Sequence, residues 1–349
     1  MQIISGFLGV TVIYLSAIIP KQYVQHSLGI IQMMDEQLRE LGIKILYTKV
    51  LRHNYCFLAS MIVANVCYTI GSVFVLRTGD ETPSAWLHIT FVVQHTIVLY
   101  STIIFSCFTK MLEMRFTMMQ QVLKNLYHQW DTRTIKTITQ KQRSLQCLDS
   151  FSMYTIVSKN PSEIIQESME IHQLICEAAS TANKYFTYQL LTIISIAFLI
   201  IVFDAYYVLE TLLGKSKRES KFKTVEFVTF FSCQMILYLI AIISIVEGSN
   251  RVIKKSEKTG GIVHALLNRA KQPEVKEKLQ QFSMQLLHLK ISFTAAGLFN
   301  IDRTLYFTIS GALTTYLIIL LQFTSSSPPA VQTACSILNS TEIANVTQT

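Results

Sequence analysis

Six long apolar stretches alternate with polar segments along this chain of 349 residues. Each is long enough to cross about 30 Å of hydrocarbon as a helix that rises about 1.5 Å per residue. None shows the strict alternation of an outer-membrane barrel strand, so we interpret them as helices. The stretches are 2–19, 55–76, 86–108, 185–209, 225–246 and 305–323. The pattern predicts an all-α fold, a polytopic membrane helix bundle with six visible spans.

Two of these helices are predicted to continue well beyond their apolar stretch. Leu112, Phe116, Met119, Leu123, Leu126 and Trp130 form one apolar stripe on a helix that prolongs the third span. Asn160 and Pro161 are typical of a helix start, and neither proline nor glycine follows until Gly214. The sequence therefore predicts one helix of about fifty residues, roughly 75 Å long.

A second apolar stripe follows Pro273. Its members are Val275, Leu279, Phe282, Leu286, Leu289 and Phe293, at the spacing of a helix in a coiled-coil-like bundle. Two interpretations stay open: the helix packs inside its own subunit, or it joins an anchor formed by several chains. The segment 297–302 should then break the helix, and Asn300 or Asp302 can cap the final span.

Composition supports a membrane protein and gives no support for catalysis. Half of the residues are hydrophobic, 15% are charged and the mean hydropathy is +0.38, which leaves too little polar surface for a water-soluble domain. The seven Cys are scattered, with no Cys-x-x-Cys pair and no His cluster at ligand spacing. We therefore predict no metal site, no cofactor, no enzyme activity and no nucleic-acid partner.

Charge distribution predicts an orientation in the membrane. The tail 324–349 has no Lys or Arg and carries two glycosylation sequons, at Asn339 and Asn345, so it should be extracellular. The segments 20–54, 109–184 and 247–303 then lie in the cytoplasm, and they hold 24 of the 30 Lys and Arg. One basic loop, 213–223, disagrees with this assignment.

Ionisable and polar groups within the spans are candidates for a ligand site. Asp204 lies near the outer end of its span, beside Tyr206 and Tyr207. The neighbouring spans contribute Trp86, His88, Gln94, His95, Gln234 and Tyr238. Aromatic faces with a carboxylate and amides would suit a polyhydroxylated or heterocyclic ligand. The alternative for each residue is a buried hydrogen bond between helices.

The final helix has polar members that should face protein or water rather than lipid. These are Thr315, Tyr316 and Gln322, with Ile319 and Phe323 on overlapping faces. At a four-fold axis such a helix would present Gln322 or Phe323 to an ion path. The alternative is that Gln322 hydrogen-bonds a neighbouring helix.

The same nine residues, Thr315 to Phe323, read Thr-Tyr, five apolar residues and Gln-Phe. This motif resembles the signature of the insect gustatory receptors, and the resemblance extends back through 294–299 and 302–305. Gustatory receptors are tetrameric ligand-gated cation channels with seven helices and a cytoplasmic N-terminus. The resemblance implies a gate at Gln322 and Phe323, a lining role for Ile319, and an anchor helix before the pore helix. Because only six spans are visible, it also implies that the family's first helix is missing.

The resemblance implies a homotetramer in the plasma membrane, opened from outside by a small-molecule tastant and permeable to monovalent and divalent cations. The implied segments are 1–108 as spans of a ligand-binding bundle, 109–184 as cytoplasmic helical extensions and 185–247 as two further spans. The rest is an anchor at 248–300, a pore helix at 301–323 and an extracellular tail at 324–349. The alternative function is a seven-helix receptor that signals without an intrinsic pore.

Overall fold

A computed structural model describes residues 9, 11–15, 21–43, 47–76, 85–130, 159–212 and 221–325. Helices dominate these residues, with one short hairpin between the last two helices. In chain order the elements are α1 (Lys21–Glu40), α2 (Tyr47–Leu76), α3 (Ala85–Gln129), α4 (Pro161–Leu212), α5 (Lys221–Leu267), α6 (Pro273–His288), β1 (Thr294–Ala295), β2 (Phe299–Asn300) and α7 (Thr304–Ser325).

Five of the helices are long and apolar enough to cross a membrane, namely α2, α3, α4, α5 and α7. They contain the predicted spans from 55–76 onward, which confirms the all-α bundle. The first predicted span, 2–19, lies mostly outside the described residues.

Helix α4 is the centre of the molecule. Its 52 residues run from Pro161 to Leu212 without interruption, as predicted. The carbonyl of Asn160 accepts hydrogen bonds from the N–H groups of Glu163 and Ile164, at 3.0 and 3.2 Å, so Asn160 stands at the helix start. Helices α1, α3, α5, α6 and α7 all pack against α4. At about 1.5 Å per residue, α4 extends far beyond the thickness of a bilayer.

The parts of α3, α4 and α5 beyond the predicted spans form, with α1 and α6, a packed unit that we call the extension layer. The predicted stripe on α3 is its core, because Leu112, Phe116, Met119, Leu123 and Leu126 are each 0% exposed. Burying each such side chain contributes roughly 1.5–3 kcal/mol relative to exposure. The extension of the third span is therefore confirmed.

Polar side chains also join helices within this layer. Arg115 of α3 is buried, and its Nε and Nη2 donate to the two carboxylate oxygens of Asp35 in α1 at 2.9 and 2.8 Å. Gln120 of α3 donates from Nε2 to the Lys255 carbonyl and to Thr259 Oγ1 of α5, at 2.6 and 2.9 Å. Buried polar groups are stable only when satisfied in this way.

Helix α6 is shorter than its apolar stripe predicted. It ends at His288, so Leu289 and Phe293 are not helical, and their prediction as part of the helix was wrong. The chain instead turns into the β1–β2 hairpin, in which Leu298 N–H donates to the Ala295 carbonyl at 2.9 Å. Ala296 and Gly297 both have positive φ, of 50° and 71°. Such a turn favours glycine and cannot continue a right-handed helix.

The apolar stripe of α6 packs within its own subunit. Val275, Leu279 and Phe282 are at most 3% exposed and belong to the main hydrophobic core, in contact with α4 and α5. This agrees with the first of the two interpretations for these three residues. Met284 and Leu287, which the stripe does not include, are instead exposed at the surface of the subunit.

Candidate ligand site and pore helix

Polar and aromatic side chains from four helices meet inside the bundle of spans. Their shared property is burial among apolar neighbours, with exposures of 6% or less. They are Tyr68 of α2, Gln94 and His95 of α3, Asp204 of α4, and Gln234 and Tyr238 of α5. We call these six residues the polar cluster.

Stacked rings hold the polar cluster together. The rings of Tyr68 and His95 stack with centroids 4.3 Å apart, and Tyr238 meets His95 edge-on at 5.2 Å. The Tyr68 hydroxyl donates to Gln234 Oε1 at 3.3 Å. Asp204 is close enough to interact electrostatically with both tyrosines. Edge-to-face and offset rings of this kind favour one fixed arrangement.

Several polar atoms of the cluster form no hydrogen bond with the described residues of the protein. Both ring nitrogens of His95 and Nε2 of Gln94 are buried and lack a hydrogen bond within the described residues. A buried donor or acceptor without a partner costs about 1–3 kcal/mol, so such groups are normally met by water or a ligand. Chemically, the cluster offers aromatic faces together with donors and acceptors for a small polar or aromatic molecule.

Most of the predicted ligand-site residues whose side chains the structure describes come together, and one does not. Gln94, His95, Asp204, Gln234 and Tyr238 belong to the cluster. Tyr207 does not, because it is 42% exposed and packs against Tyr206 and Phe231. Trp86 is the second residue of α3, but its side chain lies outside the described residues, as does that of His88.

Tyr68 is a cluster member that sequence reasoning missed. It lies in the span 55–76, where Asn65, Tyr68, Thr69 and Ser72 recur at helical spacing on one face. That polar stripe was visible in the sequence. It predicts a protein-facing side for α2, and Asn65 indeed donates to Thr96 of α3 at 3.0 Å.

The final helix, α7, has two different faces. Leu305, Tyr306, Ile309 and Leu313 pack against the core of the subunit. Thr304, Thr308, Gly311, Thr315 and Gln322 are exposed and lie on the other side, three, four or seven residues apart. The Thr308 and Thr315 hydroxyls each donate to the carbonyl one turn earlier, at 3.3 and 3.0 Å. We call this second side the polar face of α7.

The predicted gate residues lie at the end of α7. Ile319 is 39% exposed, and Tyr316 is half-exposed with its ring edge-on to Phe198 of α4 at 5.9 Å. Gln322 is exposed in the single subunit. Phe323 belongs to the helix, but its side chain lies outside the described residues, as do Asn339 and Asn345.

An ion pair connects the start of α7 to α5, and a local hydrogen bond caps the helix. Arg303 donates from Nε and Nη2 to the carboxylate of Glu247 in α5, both at 2.9 Å, and these hydrogen bonds raise the pKa of Arg303. Asp302 caps α7, because its Oδ1 accepts from the Thr304 N–H at 2.8 Å.

The hairpin before α7 is also held to α4. Asn183 Oδ1 accepts from the Thr294 N–H at 3.0 Å, and Thr187 Oγ1 accepts from the Ala296 N–H at 2.7 Å. A movement of α4 or α5 would therefore be transmitted to the N-terminal end of α7.

Comparison with known proteins gives one consistent family. The model of the 7tm chemosensory receptors matches residues 1–327. Gustatory receptor 28b of Drosophila melanogaster is 74% identical over 328 residues, which are 94% of this chain and 70% of the relative. Gustatory receptor 28a of the same fly is 35% identical over 335 residues, 92% of this chain and 74% of the relative.

Solved structures agree at the level of the fold. The insect olfactory receptor OR5 from Machilis hrabei has a TM-score of 0.63 at 13% identity, covering 93% of this chain and 80% of that one. Its complex with eugenol has a TM-score of 0.55 at 14% identity, covering 91% and 79%. This chain is accordingly a multi-pass membrane protein that belongs to the 7tm chemosensory receptors and, within them, to the insect gustatory receptors.

Proposed function

We propose that this chain is one subunit of a homotetrameric, non-selective cation channel of the plasma membrane. A small-molecule tastant opens it from outside, and its C-terminus is extracellular. The observation that carries the proposal is the polar face of α7, which points away from the subunit to which the rest of α7 is packed.

The polar face is favourable only where it contacts water or protein rather than lipid. Hydroxyl groups in a span tolerate lipid because they hydrogen-bond the preceding turn, but the amide of Gln322 gains nothing from hydrocarbon. Placed around a common axis, four copies of α7 would direct Thr308, Thr315 and Gln322 at a shared path. Such rings of hydroxyls and amides can replace part of the hydration shell of a cation without selecting strongly between cations.

Exposed apolar side chains outside the bundle of spans support assembly. Met284 and Leu287 of α6 are 57% and 62% exposed, and Leu298 at the hairpin turn is 72% exposed. Large apolar side chains exposed in a water-facing layer are typical of a contact surface. A second copy of the chain fits this surface, because α6 and the hairpin lead directly to α7.

The polar cluster is the tastant site in this proposal. Its unsatisfied nitrogens and stacked rings suit a small molecule with an aromatic or hydroxylated ring. The related olfactory receptor binds eugenol, a small aromatic molecule, in the complex named above. A ligand screen that includes sugars and bitter compounds identifies the class of tastant.

The test asks whether α7 lines a pore. Cysteine is introduced at Thr308 or Thr315 on the polar face, and at Leu313 on the face toward the subunit as the control. Cells expressing each full-length variant are activated with an agonist found by screening and treated with a positively charged thiol reagent. We expect block of the evoked current for Thr308→Cys and Thr315→Cys but not for Leu313→Cys or the wild type.

Equal modification of all variants, or evoked responses with no current through the protein itself, would contradict the proposal. The second outcome would favour the alternative, a receptor that signals without an intrinsic pore.

A further inference from the structure

An open cavity of about 590 Å³ lies between α1, α4 and the linker that joins α6 to β1. Helix α1 contributes Tyr23 and His26, and α4 contributes Glu177 and Lys184. The cavity is also lined by His288, the last residue of α6, and by Lys290 of the linker. The volume falls in the range of about 300–1,000 Å³ that is typical of small-molecule sites. The polar cluster and the polar face of α7 take no part in it.

Two lysines make this cavity attractive to an anion. Lys184 and Lys290 are both exposed, and neither has a carboxylate within ion-pair distance among the described residues. The acidic group on the wall, Glu177, faces His26, whose Nε2 lies 3.4 Å from its Oε1. The lysines are therefore available to an outside ligand, with the Tyr23 hydroxyl and the His288 ring as further hydrogen-bonding groups.

The cavity lies at the level of lipid headgroups. Lys184 directly precedes the apolar stretch 185–209 of α4. Helix α1 begins at Lys21, directly after the apolar stretch 2–19. Two walls of the cavity thus start where the hydrocarbon should end, and basic residues at that depth interact with anionic lipids.

We propose that this cavity binds a phosphorylated inositol headgroup, supplied by a lipid of the cytoplasmic leaflet. Lysine is a common ligand of phosphate groups, and the polar wall residues match the hydroxyls of an inositol ring. The choice of leaflet rests on the orientation in the proposed function. The binding of the headgroup does not depend on that orientation, so the experiment can disprove the binding site and the proposed function separately.

Occupancy of the cavity would act on the pore helix through the linker. His288 ends α6, and Lys290 and Phe293 lie in the linker that leads to Thr294, the first residue of β1. The strand is held by Asn183, the neighbour of Lys184 in α4. A headgroup bound by Lys184 and Lys290 would join α4 to the linker and restrain the hairpin before α7.

The experiment measures binding to the purified full-length chain in mild detergent. It is titrated with dioctanoyl phosphatidylinositol bisphosphate and, separately, with inositol trisphosphate, which lacks the acyl chains. Binding is followed by microscale thermophoresis. The variants are Lys184→Gln and Lys290→Gln, with Lys271→Gln as the control, because Lys271 is exposed in the turn before α6 and does not line the cavity.

We expect saturable binding of the short-chain lipid that weakens about fivefold in each cavity variant and is unchanged in Lys271→Gln. All three should unfold at the wild-type temperature, since exposed lysines contribute little to stability. Tighter binding of the lipid than of inositol trisphosphate identifies a membrane source, and equal or weaker binding of the lipid would overturn that assignment. Absent binding of both probes, or the same loss in Lys271→Gln, would overturn the site itself.

Discussion

At the scale of single residues, His95 has the most unusual surroundings. Its ring is 1% exposed and is held by Tyr68 and Tyr238, yet neither nitrogen has a partner within the described part of the chain. Stacking accounts for the ring but not for its nitrogens. A phenylalanine would stack equally well without leaving polar atoms unsatisfied, so the choice of histidine points to a hydrogen bond with something that enters the cluster.

The substitution His95→Phe tests this directly. It keeps the ring contacts and removes both nitrogens, so we expect folded surface expression to be maintained while the agonist concentration for half-maximal current rises about threefold to tenfold. The matched control is His172→Phe, since His172 is also fully buried and lies edge-on between Phe116 and Phe282 in the extension layer. A similar shift in both variants would show a general effect of packing and remove His95 from the ligand site.

The sequence was informative about polar residues in spans and less so about their directions. Asp204 and Gln234 were predictable because a carboxylate or an amide in hydrocarbon needs an internal partner. Tyr207 and Tyr68 were not distinguished, because a tyrosine is equally compatible with a protein interior and an exposed surface. Only the packing of α2 against α3 and α5 decides that Tyr68 faces inward.

At the scale of elements, the long helices α3 and α4 were predictable and the end of α6 was not. Apolar spacing without proline or glycine specifies a helix locally, which is why α4 matches its prediction over 52 residues. The stripe from Val275 to Phe293 has the same spacing, but its last part is fixed by tertiary contacts of the hairpin with Asn183 and Thr187. Local periodicity contains no information about those contacts.

The exposed side of α6 gives a prediction about assembly. Replacing Leu287 with Asp should place an unpaired charge at the proposed contact between subunits and weaken that contact by about 2 kcal/mol or more. We expect size-exclusion chromatography in mild detergent to show that the proposed tetramer dissociates, while the isolated subunit stays folded because Leu287 is 62% exposed within it.

Gln281→Asp is the control for that change. Gln281 is also exposed on α6 but lies about 120° around the helix from Leu287. Tetramers that persist in Leu287→Asp would show that this side of α6 contacts no other subunit.

At the scale of the whole molecule, the polar ends of the helices lie together. The extension of α3 follows its predicted span in the chain, the extension of α4 precedes its span, and the extension of α5 again follows its span. The three extensions meet in one layer, as the contacts of Gln120 with α5 and of His172 with Phe116 and Phe282 show. This layer contains a large share of the Lys and Arg, so one orientation of the molecule satisfies the positive-inside rule for all three extensions together.

That orientation leads to a prediction for the tail, which follows α7 at the opposite end. With the extension layer in the cytoplasm, Asn339 and Asn345 should be glycosylated, and an epitope placed after Thr349 should be labelled on intact cells. An epitope inserted after Gln140, in the segment between α3 and α4, should be labelled only after permeabilisation. The mobility shift caused by a glycosidase should be lost in the double variant Asn339→Gln and Asn345→Gln.

The reverse labelling pattern would place the extension layer outside the cell. The end of the spans that carries the polar cluster would then face the cytoplasm, where a tastant in the external medium does not reach it directly. The lysine-lined cavity would face the outer leaflet, which lacks phosphorylated inositol lipids. Both proposals for the membrane-embedded molecule would lose their physical basis. The affinity of the cavity for inositol phosphate in detergent would be unaffected, because it depends on Lys184, Lys290 and the polar wall of the cavity and not on the side of the membrane they face.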